Sequence, residues 1–385
     1  MNLPEQHRPA SEGPSRQSHE LSPFLRDIRD ATPAQVSDAL RASSKDPHGL
    51  TDAPESMMLP DVVRLLSAAE PDIQKAIFRA ARENRESLFG RDVFMRAVID
   101  ISNYCRKSCT FCGNAATNKA VPRFRAEPQD IVHQAAIARE MGIDLIHLAS
   151  GEDPGFGLDK LEKTVGAITG SGCTVELAIG ERKIEDYRTL YAAGARRAIV
   201  KFETMNPQLF SRVKPRENLE ARIALLGQLK DIGYEVGTGN MIGLPGQGIE
   251  DVALDLLRTI EIQPSMASTS VFVPNKQSVL NDAGRGDAEL GLVYLAVLRI
   301  MLGRRRVSMP TNSTFGPEGK YRALELGAVE LSLNMTPNAH QHQYSLYEGR
   351  QRRKTEYHEL AEKISTASFR LIPFSDFHHE KSTDH

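Results

Sequence analysis

Cys105, Cys109 and Cys112 place three sulfur ligands within eight residues, spaced C-x3-C-x2-C in the segment Asn103-Tyr104-Cys105-Arg106-Lys107-Ser108-Cys109-Thr110-Phe111-Cys112-Gly113. Soft thiolates this close together suit an iron–sulfur cluster, whose compact inorganic core a single loop can wrap. Three ligands leave one iron of a four-iron cluster without a protein thiolate, and an iron with an open position can coordinate a small molecule. A structural zinc site calls for a fourth Cys or His, usually in a second, separated pair. The remaining cysteine, Cys173, is single and distant in the sequence. A disulfide is disfavoured by sparse cysteine usage and by an N-terminus without an apolar signal core.

Composition narrows the function classes. A chain of 385 residues holds one large domain or two ordinary ones, and 40% hydrophobic residues supply a sizeable core. With 48 basic and 50 acidic residues, nothing points to nucleic acid or to an acidic membrane surface. No apolar run is long enough to span a bilayer. These features predict a soluble, cytoplasmic protein that partners neither nucleic acid nor membrane.

The chain then divides by texture. Residues 1–55 read as a disordered tail with little to bury. Residues 56–90 form a helical extension, with one helix from Leu59 and another over Pro71–Glu86, expected as a lid or plug. Residues 91–350 alternate strands and helices without a break. Val93–Ser102 is a nearly continuous apolar run, as in a parallel strand buried on both faces. Seven further strands follow, the last two being Val307–Met309 and Val329–Leu333. Residues 351–385 read as a C-terminal helix and a polar tail, the tail beginning near Phe377. The fold class expected is α/β, a (β/α)8 TIM-type barrel with an N-terminal helical extension and a disordered N-terminal tail. An open six-strand barrel is the alternative, because the last two strands are short.

In either barrel the cysteine loop leaves the C-terminal end of strand one, where barrel active sites are built. Polar residues stand at nearly every other strand end. Ser150-Gly151-Glu152-Asp153-Pro154 follows strand two, Gly180-Glu181-Arg182 strand three and Glu203-Thr204-Met205-Asn206-Pro207 strand four. Asn240, Thr311, Asn312 and Thr336, at the later strand ends, are the expected substrate positions. A single Glu or Asn at such a place is equally well a helix cap or a turn residue. Several acids converging on one mouth are harder to explain that way.

The cysteine motif, with Phe111 just before the third Cys, resembles the signature of the radical S-adenosylmethionine (SAM) superfamily. Asn103–Cys109, Ser150–Pro154, Glu203–Pro207 and Gly243-Leu244-Pro245-Gly246-Gln247 are similar to the subgroup of biotin synthase, methylornithine synthase and the [FeFe]-hydrogenase maturase. The likeness runs from about Leu59 to Arg350. It implies a [4Fe–4S] cluster on Cys105, Cys109 and Cys112, with SAM chelating the open iron. It also implies that Ser150, Gly151 and Glu152 hold the SAM ammonium, that Glu203 and Arg222 contact the ribose side and the methionine carboxylate, and that Phe111, Met241 and Ile242 lie along the adenine. Arg suits a carboxylate as a permanently charged bidentate donor.

By this resemblance the protein is an enzyme that cleaves SAM reductively to a 5′-deoxyadenosyl radical, which acts on a small molecule inside the barrel. An electron donor such as flavodoxin or ferredoxin is implied. Amino-acid rearrangement or fragmentation, maturase-like processing of a cofactor precursor, and sulfur insertion all stay open. Biotin synthase holds an auxiliary cluster on further cysteines, and Cys173 alone cannot. A non-catalytic iron–sulfur or zinc scaffold is the reading from a different class.

Overall fold

The computed structural model describes residues 59–67, 71–344, 346–347 and 357–379. The tail expected at 1–55 lies outside them. Helices α1 (Leu59–Leu66) and α2 (Pro71–Phe89) come first. Val62, Leu65, Ala76, Ile77 and Ala80 bury one face of this pair in the main core. The two do not cover the barrel mouth as a lid: they lie on its flank against helices later in the chain.

Strand β1 (Asp92–Ser102) divides the two faces of the sheet. Val93, Met95, Ala97, Ile99 and Ile101 join the core beneath the helices. Arg96 and Asp100, of the opposite parity, turn inward, Arg96 to Glu176 and Glu330 of other strands and Asp100 to Thr336. After α3 (Pro128–Glu140) the chain alternates through β2 (Leu145–Ser150), α4 (Leu158–Gly170), β3 (Thr174–Ala178), α5 (Ile184–Ala192) and β4 (Arg197–Ile199). It continues with α6 (Pro207–Val213), α7 (Leu219–Ile232), β5 (Glu235–Ile242), α8 (Ile249–Ile262), β6 (Met266–Val271), α9 (Ala288–Met301), α10 (Gly316–Leu326) and β7 (Glu330–Asn334). The strands pair in parallel in the order β6-β5-β4-β3-β2-β1-β7. Between β6 and β7, Ser308 bridges Met266 and Pro310 bridges Glu330, so the sheet continues past six strands and closes. The strand expected at Val307–Met309 is reduced to these bridges, and Pro310 has no N–H with which to lengthen the ladder. The result is an α/β barrel of the (β/α)8 type. Helix α9 is buried around almost its whole circumference, because α1, α2 and α10 cover the side that the sheet does not.

The lower end of the barrel is sealed. After α11 (Tyr357–Thr366), strand β8 (Arg370–Ile372) pairs with the first residues of β1, below the level at which β2 begins. Helix α12 (Phe374–His379) follows, its first N–H groups donated to the Asp144 carboxylate by Phe374 at 2.7 Å and Ser375 at 2.9 Å. Phe374 and Phe377 insert against Phe89, Phe94, Leu145 and Val329. The polar tail expected from about Phe377 is thereby corrected: that ring is only 1% exposed and packs tilted against Phe94, with centroids 4.7 Å apart. Each such ring contributes about 1.5–3 kcal/mol by leaving water.

Directly above this apolar plug lies a layer of charge. Glu176 takes His147 Nδ1 at 2.7 Å, Arg197 Nε at 2.9 Å and Arg96 Nη1 at 3.0 Å, while Arg96 reaches Glu330 at 2.7 Å. Burial pushes the Glu176 carboxyl up, but Arg197, His147 and Arg96 outweigh it and hold it well below the usual range. Higher still, the inward positions turn small: Ala149, Ala178, Gly237, Gly239, Ser268 and Ser270. Ala178, Ile199 and Ser268 stay partly exposed although they face the inside of the ring, so a chamber opens there beneath the mouth.

Candidate active site

The cysteine loop leaves β1 at Ser102 and is fastened by its own backbone groups. The Arg123 guanidinium donates to four loop carbonyls, those of Asn103 at 2.5 Å, Asn114 at 2.8 Å, Ala115 at 2.7 Å and Asn118 at 2.8 Å. The Thr110 N–H donates to Val213 O at 2.9 Å, tying the loop to the end of α6. Cys105, Cys109 and Cys112 are free, partly exposed thiols. The Lys107 N–H donates to Cys105 Sγ at 3.4 Å, and the Lys214 ammonium donates to Cys109 Sγ at 3.4 Å. Burial pushes the Cys109 thiol up, and the Cys112 thiol to about 12. A bound metal, which deprotonates a coordinating thiol outright, is what this loop needs to present thiolates.

Across from the loop, Gly151 lets the end of β2 approach it. A Cβ there would collide with the Tyr104 carbonyl oxygen and stand 2.7 Å from Cys105 Cβ. Beside it, carboxylate oxygens of Glu152, Glu181 and Glu217 lie within 4.8 Å of one another. The Lys107 ammonium sits among them, at 3.5, 3.0 and 3.3 Å respectively. Three carboxylates around one ammonium make a site whose charge and spacing suit the cationic end of an amino acid or a sulfonium. Arg222 closes this side, paired to Glu181 and lying 3.5 Å from Glu217. Arg222 Nε is held by the Lys201 carbonyl.

Glu203 stands where the chain leaves β4, with a left-handed φ of 65°. For a residue with a Cβ this conformation costs of order 1–3 kcal/mol, so the surrounding structure must hold it. Its backbone is fixed on both sides, Glu203 N donating to Gly239 O at 3.1 Å and Met241 N donating to Glu203 O at 2.8 Å. The Lys201 ammonium stands 3.1 Å from Glu203 Oε2, an ion-pair distance without the direction of a hydrogen bond. Phe111 and Met241 meet on one apolar wall with Leu209, Val213, Leu244 and Phe272.

Other expected positions fall differently. Asn240 does not face the chamber: its side chain donates outward to Asp255 of α8 at 3.4 Å, because the odd-numbered residues of β5 take the inner face. The Ile242 side chain belongs to the main core, leaving only its backbone near the mouth. Asn312 caps the 3-10 turn Ser313–Phe315, accepting from Thr314 N at 3.0 Å. Thr311 is buried, and its N–H completes the ladder to Glu330 O at 2.8 Å. Thr336 does lie inside, hydrogen-bonded to Asp100 Oδ2 at 3.1 Å. Ser150 is the last ladder residue of β2, opposite Ser102. Cys173 is buried just before β3, at the opposite end of the barrel from the cysteine loop. Sequence reasoning passed over Lys107, Lys201, Lys214 and Glu217. Lys107 lay in plain view between the cysteines. Lys214 and Glu217 sit in an irregular link between α6 and α7, where no periodicity marks them.

A parallel barrel whose first strand ends in a three-thiolate loop, ringed by cation- and anion-binding side chains above an internal chamber, defines an enzyme built around a cluster and a small charged cofactor. The thiol loop fits the cluster, and the acid trio, Arg222 and the apolar wall fit a ligand with an ammonium, a carboxylate and an aromatic base. The model of the Radical SAM superfamily matches residues 99–257. The chain is 37% identical to the [FeFe] hydrogenase maturase subunit HydE of Thermotoga maritima over 286 residues, 74% of this chain and 82% of that protein. It is 26% identical to 3-methylornithine synthase of Methanosarcina barkeri over 286 residues, 72% of this chain and 80% of that protein. The crystal structure of methylornithine synthase (PylB) shares the fold, with a TM-score of 0.76 at 22% identity over 85% of this chain and 98% of that one. The chain belongs to the radical SAM superfamily. It is an enzyme whose cofactors are a [4Fe–4S] cluster and SAM, acting on a small molecule and requiring a reductant. No helix among the described residues is long and apolar enough to cross a membrane.

Proposed function

We propose that Cys105, Cys109 and Cys112 hold the [4Fe–4S] cluster, and that SAM lies between this loop and the ends of β2 to β5. Given one electron, the bound pair supplies a 5′-deoxyadenosyl radical, with methionine as the other product. Glu152 and Glu181 take the SAM ammonium from the place where Lys107 now neutralises them, and Arg222 takes the methionine carboxylate. Glu203 faces the ribose, and Phe111 and Met241 cover the adenine. The substrate occupies the chamber below, against Lys201, Ser268, Ser270 and Thr336, while the Phe374 and Phe377 plug keeps water from entering beneath. A low-potential carrier such as flavodoxin or ferredoxin supplies the electron from the cytoplasm.

The observation that carries this reading is the convergence of three free thiols, three carboxylates and Arg222 on one mouth above a small-residue chamber. The 37% identity to a hydrogenase maturase favours processing of a metal-cofactor precursor over amino-acid rearrangement. Sulfur insertion from an auxiliary cluster is disfavoured, because Cys173 is the only other cysteine in the chain and lies at the far end of β3. Anaerobically reconstituted enzyme with dithionite and SAM is expected to form 5′-deoxyadenosine, and Cys109→Ala to form none. Undiminished product from Cys109→Ala would sink the assignment.

A further inference from the structure

Lys214 is a costly residue to find where it is. It is the C-cap of α6, only 5% exposed, and a buried ammonium must be paired to be tolerated. The helix needs only the backbone of this residue, whose N–H donates to Phe210 O at 2.8 Å. The side chain instead runs to the cysteine loop, where Nζ lies 3.4 Å from Cys109 Sγ. Its carboxylate partner, Glu217, is 3.5 Å away, farther than a directed ion-pair hydrogen bond. The ammonium is also held in place. Thr110 N donates to Val213 O, pinning the loop to the residue before Lys214. At the other end of α6, Asn206 caps the helix by accepting from Gln208 N at 2.9 Å and Leu209 N at 3.0 Å. Asn206 is itself anchored to Asp251 at 2.8 Å.

We propose that Lys214 tunes the reduction potential of the cluster, by donating a hydrogen bond and presenting a fixed positive charge to the Cys109 sulfur. The proposal rests on the assignment of the three cysteines as cluster ligands. Reduction adds one electron from the low-potential carrier and makes or breaks no bond, so the cluster gains negative charge. A cation only 5% exposed, and so weakly screened, stabilises that reduced form when set against a ligand sulfur. Glu217, 3.5 Å from the Lys214 ammonium, acts in the opposite sense. The pair thus sets how strong a donor the enzyme needs, before any SAM is bound.

The test is a potentiometric titration of the reconstituted full-length enzyme without SAM, following the electron paramagnetic resonance signal of the reduced cluster. In Lys214→Met the ratio of reduced to oxidised cluster at the wild-type midpoint falls about tenfold, equivalent to about 59 mV for a one-electron couple. Lys214→Arg stays near the wild-type midpoint, and Glu217→Gln moves it upward. Shifts of opposite sign from two neighbouring residues are not what loosened packing produces. An unchanged midpoint in Lys214→Met at full iron content overturns the proposal, as does a shift that appears only when SAM is present. If Lys214→Met fails to hold iron, the absence of an upward shift in Glu217→Gln overturns it. Wild-type turnover of SAM is read in parallel. A tuned cluster that forms no 5′-deoxyadenosine contradicts the functional reading and leaves the role of Lys214 standing.

Discussion

Two charged networks occupy the same barrel and differ in how tightly they are closed. In the lower one, Glu176 accepts from His147, Arg197 and Arg96 within 3.0 Å, and its side chain is fully buried. In the upper one, Glu217 stands 3.3–3.5 Å from Lys107, Lys214 and Arg222 without a directed hydrogen bond to any of them. At the mouth Glu181 is 25% exposed and Lys107 19%, whereas Glu176 and Arg197 are all but sealed from solvent. The same residue types thus serve two ends. A carboxylate such as Glu176, which accepts three hydrogen bonds, can only hold the strands together, whereas one such as Glu217, left without a directed hydrogen bond, leaves its neighbouring cations free to exchange for those of a ligand. Buried ion pairs are in general weak evidence for stability, but losing a carboxylate that several buried cations share strands those cations.

This contrast can be broken experimentally. The largest effect is expected at the mouth from Gly151→Val, whose side chain would run into Tyr104 and Cys105. It should abolish iron incorporation, read as iron per chain after reconstitution; near-wild-type iron would mean that β2 does not press on the loop. Next is Glu176→Gln in the lower layer, expected to cost about 3–5 kcal/mol in denaturant unfolding, because Arg96 and Arg197 lose the carboxylate they share. The same variant carries a pH signature. The Glu176 carboxyl lies lower in the folded chain than in the unfolded one, so its stabilisation is present above the unfolded carboxylate range and fades as pH falls below about 4.5. Over that interval wild type should lose up to about 1.4 kcal/mol per pH unit more than Glu176→Gln in the same cluster state. Parallel curves would show that the carboxylate is not the linked group. The smallest stability effect is expected from Glu181→Gln, within about 1 kcal/mol, since Glu181 is itself a quarter exposed and Glu152 and Glu217 remain beside Lys107. SAM binding, measured by equilibrium titration, should nevertheless weaken about tenfold, or about 1.4 kcal/mol. Equal stability losses for Glu176→Gln and Glu181→Gln would erase the distinction between the two layers.

By itself the sequence determined the barrel and its working end. The thiol spacing is local, so Cys105, Cys109 and Cys112 must share one loop wherever that loop goes, and alternating strands and helices place it at the mouth. Helix caps and apolar stripes are equally local, which is why the two extension helices begin at Leu59 and Pro71, where the pattern puts them. What only the tertiary structure decided is which way individual side chains turn and which distant groups meet. Asn240 is expected in the site from its place at a strand end and Ile242 from the family resemblance, but strand parity turns the side chain of the first toward Asp255 and that of the second into the core. Parity is invisible when a strand is buried on both faces, because both sides then read as apolar or small. Phe374 and Phe377 look like part of a tail until β8 pairs with β1 and brings them under the barrel. Lys214 approaches Cys109 across a long stretch of chain, set there by the hydrogen bond from Thr110 to Val213. Such meetings depend on ring closure and loop packing, which no window of sequence contains.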